Sequence, residues 1–241
     1  MPSDDSDKPD LSSIRSDENN LKCTTPFYEI KLAEKGGINS IKDVKTGQFI
    51  TDGSKRSAFF EGTIDGIDSQ SHGKWIIQKS SETTPWVKMV EYGFIANIPY
   101  QFEMTFYEDY PRIDCAVGFD FNGQKIGLLS DNLRDANSPF VHEEKLRFKF
   151  FAKLDTSAVG IRDLPFAIAE TKDKYVEGNY WTALSDGKSE IGFFNKGNMG
   201  SIREKDNSFS IPLAYAMYYI WGTRMLTGSY VYEFAVLPFD G

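Results

Sequence analysis

The chain has 241 residues, of which 40% are hydrophobic and 15% aromatic, and its formal net charge is −8. Nucleic-acid binding requires clustered lysine and arginine side chains, so this acidic balance argues against a nucleic-acid partner. The sequence lacks a run of about 18 apolar residues that would span a membrane, and its acidic start lacks the features of a signal peptide. The compartment in which the protein works is left open.

The first 24 residues are rich in aspartate and serine and contain almost no large apolar side chain. Such a composition cannot bury enough apolar surface to fold, so we expect residues 1–24 to be a disordered acidic tail or linker. Residues 25–241 have the length of one large β-domain. The two cysteines, Cys23 and Cys115, form neither a disulfide framework nor a metal cluster, and Cys115 is expected to be a buried free thiol.

From residue 27 onward, apolar and polar residues alternate in short runs separated by glycine, proline and aspartate. A period of two is typical of half-buried strands. Only Pro212 to Trp221 is long and apolar enough to suggest a helix, and a buried strand fits it equally well. The predicted strands are Phe27–Leu32, Ile38–Asp43, Phe49–Ile50, Ala58–Thr63, Trp75–Lys79, Val87–Ile95, the hairpin described next, Lys145–Leu154, Tyr180–Leu184, Glu190–Phe194, Phe209–Met217 and Tyr230–Phe239.

The clearest alternation runs from Thr105 to Phe121 and predicts a long antiparallel hairpin around which the domain is organised. The corner Glu108 to Pro111 supplies turn chemistry, because aspartate and proline favour tight turns and proline removes a backbone donor. One set of alternating side chains should lie on a buried sheet face and the other should face solvent or a second layer. No catalytic constellation is visible along the hairpin.

More than ten short strands with turn residues between them predict an all-β fold, a large antiparallel β-sandwich. The turn-rich residues from Gly123 to Val141 are expected to cross the surface as a long excursion. No internal repeat is visible.

Four segments, in order, resemble the C-terminal β-sandwich region of glycoside hydrolase family 38, the α-mannosidases. The resemblance covers about residues 27 to 241 and implies a super-sandwich of the galactose-mutarotase-like type. Its segments are Phe106–Asp120 with its Pro-Arg-Ile-Asp corner, Arg162–Phe166, Trp181–Gly187 with the following Ile191–Gly197, and Tyr232–Phe239.

This resemblance implies that the parent enzyme hydrolyses α-mannosides with retention, using zinc and carboxylates in a separate α/β domain. Neither His72 nor His142 begins the family's His-X-Asp pair, so no metal or cofactor is expected in this chain. The chain by itself is expected to be non-catalytic. It would pack against the catalytic domain, shape the sugar cleft and support contacts between copies.

The same resemblance implies candidate carbohydrate-binding residues in Arg162, Asp163, Trp181 and Asp186. Their side chains would hydrogen-bond sugar hydroxyls, or stack on a sugar ring in the case of the tryptophan. The sequence equally allows both aspartates to be turn formers, the arginine to pair locally and the tryptophan to lie in the core. Ala167 follows Phe166 where the family usually has glycine.

Two functions from other classes stay open. An independent carbohydrate-binding module would expose Trp181 or Trp86 and bind mannosides. An aldose epimerase would bring two histidines and a carboxylate together on one sugar, and Glu143 and Glu144 stand beside His142.

A smaller acidic pair, Asp65 and Asp68 with His72 nearby, fits either a sugar or calcium loop or a solvated turn. A sandwich separated from its catalytic domain should also expose an unusually large apolar patch.

Overall fold

The computed structural model describes residues 13–79, 86–127, 141–198, 200–204, 208–216 and 225–240 of the chain. These residues form eighteen strands and the short 3-10 helix His142–Glu144. The prediction of an all-β fold is therefore confirmed. Among the described residues, no helix has the length and apolar character needed to cross a membrane.

Four short strands near the start of the chain form a small antiparallel sheet. The sheet begins before the boundary at residue 24 that the sequence led us to expect, because Ile14 and Cys23 are buried in the core. Tyr28 fastens this sheet to the main hairpin by donating its hydroxyl to the carbonyl of Pro111 at 2.5 Å. The strands are β1 (Arg15–Asp17), β2 (Lys22–Thr24), β3 (Tyr28–Leu32) and β4 (Ile38–Asp43).

The other fourteen strands form one antiparallel sheet, in the order β12-β11-β14-β15-β18-β9-β8-β7-β6-β5-β10-β17-β16-β13. The strands are β5 (Phe59–Ile64), β6 (Ile67–Lys79), β7 (Trp86–Ile95), β8 (Ile98–Tyr107), β9 (Ile113–Gln124), β10 (Leu146–Phe151), β11 (Val159–Leu164), β12 (Ala167–Thr171), β13 (Tyr175–Glu177), β14 (Trp181–Ser185), β15 (Ser189–Asn195), β16 (Gly200–Arg203), β17 (Ser208–Ala214) and β18 (Leu226–Asp240).

The large sheet curls into two layers because β6 belongs to both. Its first residues pair with β5 and the rest pair with β7, so this long strand carries the chain from one layer to the other. The two ends of the sheet then approach each other. Ser201 of β16 lies 3.2 Å from the Thr182 hydroxyl of β14, and Arg203 donates to the carbonyl of Ala158 at 2.8 Å. The result is a nearly closed sandwich.

Aromatic side chains fill the space between the layers. Phe60 lies edge-on to Tyr100, Phe102 and Phe119 with ring centroids 5.1 to 5.2 Å apart, an arrangement that aromatic quadrupoles favour. Phe148 contacts the same cluster from β10. Alternate residues of β8 and β9 supply this inner face, as the hairpin pattern predicted.

Charged side chains are also buried in this sandwich. Arg147 and Lys149 of β10 both pair with Glu61 of β5 and with Glu204, and the Lys149 pairs measure 3.0 and 3.1 Å. On β7, Glu91 is only 1% exposed. Burying an ion is costly unless partners surround it, so these groups depend on their neighbours.

Cys23 and Cys115 are both buried free thiols, as expected for Cys115. Several expectations lie outside the described residues: the first twelve residues of the tail, most of the excursion after Gly123, and the end of the segment Pro212 to Trp221. The described start of that segment continues β17 to residue 214 and is therefore strand.

Candidate functional site

The outer face of the large sheet carries a groove next to the corner of the main hairpin. The groove encloses about 750 Å³ and crosses β8, β9, β18 and β15. Its floor consists of small side chains, Ala116 and Ala235, while Tyr107, Tyr110 and Phe194 border it. A shallow, aromatic-sided depression of this size suits a small polar ligand.

Four residues of the hairpin form a connected cluster at one end of this groove. Asp114 accepts a hydrogen bond from the Tyr107 hydroxyl at 2.7 Å and two from the Arg112 guanidinium at 2.7 and 3.0 Å. Tyr107 stacks on Tyr110 with ring centroids 4.3 Å apart, and the Arg112 guanidinium lies 5.4 Å from the Tyr110 ring centroid. The cluster thus combines a charged pair with an aromatic face.

Local sequence explains the cluster. Ile113 and Cys115 are buried, so Asp114 between them must point to the outer face of β9. Thr105 of β8 lies directly opposite Asp114, which puts Tyr107 two residues further along the same face. The five-residue corner between the strands then brings Tyr110 and Arg112 back over the sheet.

The charges in the cluster reinforce one another. Partial burial raises the pKa of Tyr107, and the Asp114 carboxylate that it hydrogen-bonds raises it further. The hydrogen bond to Asp114 likewise raises the pKa of Arg112. At neutral pH, Tyr107 is therefore a neutral donor and Arg112 a cation, and both donate hydrogen bonds to the carboxylate of Asp114.

Asp163 and Trp181, two of the predicted residues, lie on the face that carries the groove. Register places Trp181 opposite Phe194 of β15, and Phe194 opposite Ala235 of β18, which stands opposite Asp114. The Asp163 carboxylate accepts hydrogen bonds from the backbone amides of Tyr180 and Trp181 at 3.0 to 3.1 Å. Asp163 thus holds the entry to β14, and Trp181 is half-buried.

Arg162 and Asp186, the other two predicted residues, lie elsewhere. Arg162 pairs with Thr182, which is buried on the opposite face, and its Nε is buried without a hydrogen-bond partner. Asp186 accepts backbone amides from Asp155, Lys188 and Ser189, each at 2.9 Å. Burial works to raise the pKa of Asp186, but these hydrogen bonds outweigh it and the pKa lies below its ordinary value. Asp186 therefore stabilises a turn.

The alternative acidic pair also forms local bonds. Asp65 accepts the backbone amide of Lys125 at 2.9 Å, and Asp68 accepts the Thr63 hydroxyl at 2.8 Å. Asp68 therefore stabilises the hairpin of β5 and β6, and Asp65 attaches the turn of that hairpin to the backbone at Lys125.

The two histidines have different surroundings. His72 is exposed on β6, opposite Phe94 of β7. His142 packs against Tyr175 with ring centroids 4.8 Å apart and lies 3.2 Å from the Lys145 ammonium. Burial lowers the pKa of His142, and Lys145 lowers it further.

In the described part of the chain, no three or more histidine, cysteine, aspartate or glutamate side chains lie together as a metal site would require.

Comparison with known proteins finds similarity in structure rather than in sequence. No family model matches the sequence, and no curated protein is significantly similar to it. A glycosyl hydrolase family 38 protein and an α-mannosidase, both from Enterococcus faecalis, superpose on 95% of this chain with TM-scores of 0.66 and identities of 12% and 11%. The α-galactosidase AgaB of Geobacillus stearothermophilus superposes on 94% with a TM-score of 0.55 and 12% identity.

These likenesses establish a shared fold. The chain spans 31% and 30% of the two Enterococcus proteins and 41% of the α-galactosidase. The β-sandwich fold is therefore one that occurs within larger glycoside hydrolase chains, of both the mannosidase and the galactosidase type.

Proposed function

We propose that this chain is the β-sandwich domain of a glycoside hydrolase of the α-mannosidase type, and that its outer groove borders the sugar-binding cleft of the enzyme. The observation that carries the proposal is the superposition of nearly the whole chain on about a third of two such enzymes. A catalytic domain of the same enzyme is the proposed partner, and zinc would belong to that domain.

The carboxylates of the groove suit binding rather than proton transfer. Glycoside hydrolysis usually needs one carboxyl group whose pKa is raised so that it can act as an acid. Here Glu103 pairs with Lys88 at 2.7 Å, Glu233 pairs with Lys196, and Asp114 pairs with its arginine. Burial works to raise the pKa of Glu103, but hydrogen bonds from Lys88 and Gln101 outweigh it and lower the pKa.

Tyr107 covers one face of the Tyr110 ring, and the other face, beside the Asp114 pair, is the one suited to a pyranose ring. Sugar rings place their C–H face on an aromatic side chain while charged groups hold their hydroxyls. We therefore assign Tyr110 to stacking, and Arg112 and Asp114 to hydroxyl binding. Asp163 and Trp181 would support the wall of the groove on which Phe194 lies.

A titration of the full chain with methyl α-mannoside, followed by two-dimensional NMR, tests this assignment. We expect saturable shifts at residues 107 to 116, because the groove is open to solvent. Tyr110→Ala should weaken binding about tenfold by removing the stacking face. Tyr175→Ala, which removes an exposed tyrosine of β13, is the matched control and should leave binding unchanged.

A chromogenic α-mannoside assay completes the test. We expect no turnover by the chain alone, since the groove carboxylates are paired with cations. Turnover would contradict the assignment of catalysis to another domain. Absence of any shift with mannoside up to high millimolar concentration would contradict the role of the groove in sugar binding.

A further inference from the structure

The groove at the hairpin corner is one part of a longer depression on the outer face, here called the outer channel. Its middle part, about 510 Å³, shares Glu103 and Ala116 with the corner groove. A third part, about 710 Å³, shares Tyr92, Pro99 and Tyr100 with the middle part. Tyr107 and Pro99 stand near its two ends, eight residues apart on β8, which corresponds to about 27 Å of strand.

Gly118 leaves open space in the middle part of the outer channel, because it has no side chain. Glycine inside a strand weakens the strand. The presence of a glycine there is usually explained by an unusual backbone conformation or by close packing against a neighbour. Neither applies here, because Gly118 does not have a positive φ and an added Cβ would meet only Val231, at 3.9 Å. Gly93 differs, since a Cβ there would lie 2.2 Å from the His72 carbonyl oxygen. What Gly118 preserves is open space in the channel.

The far end of the outer channel carries an exposed aromatic stripe. Tyr92 and Phe94 are 47% and 50% exposed and lie two residues apart on β7, so both point outward. Polar neighbours stand across the strands: Lys74 and Gln101 flank Tyr92, and His72 lies beside Phe94. An apolar surface edged by hydrogen-bonding groups is the arrangement that ring stacking with hydroxyl recognition requires.

The charges of the outer channel neutralise one another. Three ion pairs lie along it, each between a basic and an acidic side chain: Lys88 with Glu103, Lys196 with Glu233 and Arg112 with Asp114. The other charged residues of its lining, Glu34, Lys35, Lys74 and Asp120, are two of each sign. The channel therefore offers hydrogen bonds with little net charge, which favours an uncharged polyhydroxylated ligand over a phosphate or a peptide of one charge sign.

We propose that the outer channel binds an extended oligosaccharide. One sugar lies at the Tyr110 end, and further glycosyl units pass over Gly118 to stack on Tyr92 and Phe94. This inference rests on the proposed function, because it extends the same groove.

Calorimetric titration of the full chain with methyl α-mannoside and with an α-linked mannotetraose tests the proposal. We expect the tetrasaccharide to bind at least about tenfold more tightly than the monosaccharide, since it gains a second stacking contact. Gly118→Val should abolish this advantage while leaving monosaccharide affinity unchanged. Its free energy of unfolding should stay the same or rise, because valine favours strands.

Phe94→Ala should also lower the tetrasaccharide advantage, and Tyr175→Ala should not. Equal affinity for both sugars would overturn the extended channel and leave the proposed function standing. Absence of binding by either sugar would overturn the proposed function as well. A tetrasaccharide advantage that survives both Gly118→Val and Phe94→Ala would place the second contact elsewhere. Self-association of the chain that Phe94→Ala abolishes, without a tetrasaccharide advantage, would assign the stripe to a protein contact.

Discussion

Glu91 is a carboxylate enclosed by the backbone of a loop and two strands. Its oxygens accept the amide of Gly37 at 2.8 Å and the hydroxyl of Tyr100. Burial raises the pKa of Glu91, and the hydrogen bonds from Gly37 and Tyr100 and the charge of Arg56 offset only part of this effect. The folded protein therefore binds this proton more tightly than the unfolded chain does.

The raised pKa of Glu91 predicts that stability falls as pH rises. Its contribution is complete below the ordinary pKa of 4.5 and is lost as pH rises through the folded pKa. Glu91→Gln removes this titration. Urea unfolding between pH 4.5 and 7.5 should therefore show the variant gaining free energy of unfolding relative to the parent as pH increases. Glu233→Gln, at an exposed position, should run parallel to the parent, and parallel curves for Glu91→Gln would contradict the prediction.

Strand β10 carries two buried cations, and the fold is destabilised if they lose their acidic partners. Glu61 contacts both Arg147 and Lys149, whose side chains are 8% and 9% exposed. We expect Glu61→Ala to lower the free energy of unfolding by about 2 kcal/mol, less than the usual cost of breaking a buried pair because Glu204 still contacts both cations.

Glu233→Ala is the matched control for the β10 prediction, since it breaks the exposed pair with Lys196. It should change the free energy of unfolding by less than about 0.5 kcal/mol. Denaturant unfolding of both variants measures the difference. Equal effects would show that the β10 charges are no more important than surface ones.

Alternation predicted those strands that have one buried face. Strands β3, β8 and β9 follow it closely. The bounds of β3 differ by one residue from the predicted ones, whereas β8 begins at Ile98, before the predicted start of the hairpin at Thr105. Strand β6 was predicted only from Trp75, because its first eight residues are mostly polar and exposed. Strand β12, at the end of the sheet, was also missed, because none of its residues is buried and apolar and polar residues do not alternate along it. Pairing with neighbours makes these segments strands, and sequence patterns do not record pairing partners.

The sequence indicated where two residues of the outer face lie, but it did not indicate the cluster around Asp114. Asp163 and Trp181 came from a resemblance, and register places both on the outer face. The cluster around Asp114 was not predicted, although alternation indicated that this residue and Tyr107 share a face. Its formation depends on the path of the corner, which brings Tyr110 and Arg112 over the sheet. A five-residue corner does not reveal that path from sequence alone.

The two buried thiols can be used to follow the unfolding of the whole molecule. Cys23 lies in the small sheet and Cys115 in the large one, and burial raises the pKa of Cys23 to about 11 and that of Cys115 well above its usual range. Both should react slowly with a thiol reagent in the folded protein. Because the two sheets share one core, we expect both thiols to become reactive at the same denaturant concentration.

The variant Cys115→Ser leaves only Cys23 to react, and Cys23→Ser leaves only Cys115. The two variants therefore measure the exposure of each thiol separately. If the transition of Cys23 occurs at a lower denaturant concentration than that of Cys115, the small sheet unfolds independently and the single cooperative unit is refuted. Coincident transitions would support it.

The position of β18 sets the order in which the molecule can be assembled. Among the described strands it comes last in sequence, yet it lies inside the large sheet, between β9 and β15. While a ribosome is still making the protein, β9 has one edge without a neighbour, and unpaired edges invite association with other chains. The two parts of the sheet are joined only after residue 236 has left the ribosome. During that interval, the exposed edge of β9 is the part of the nascent chain that most needs protection from association with other chains.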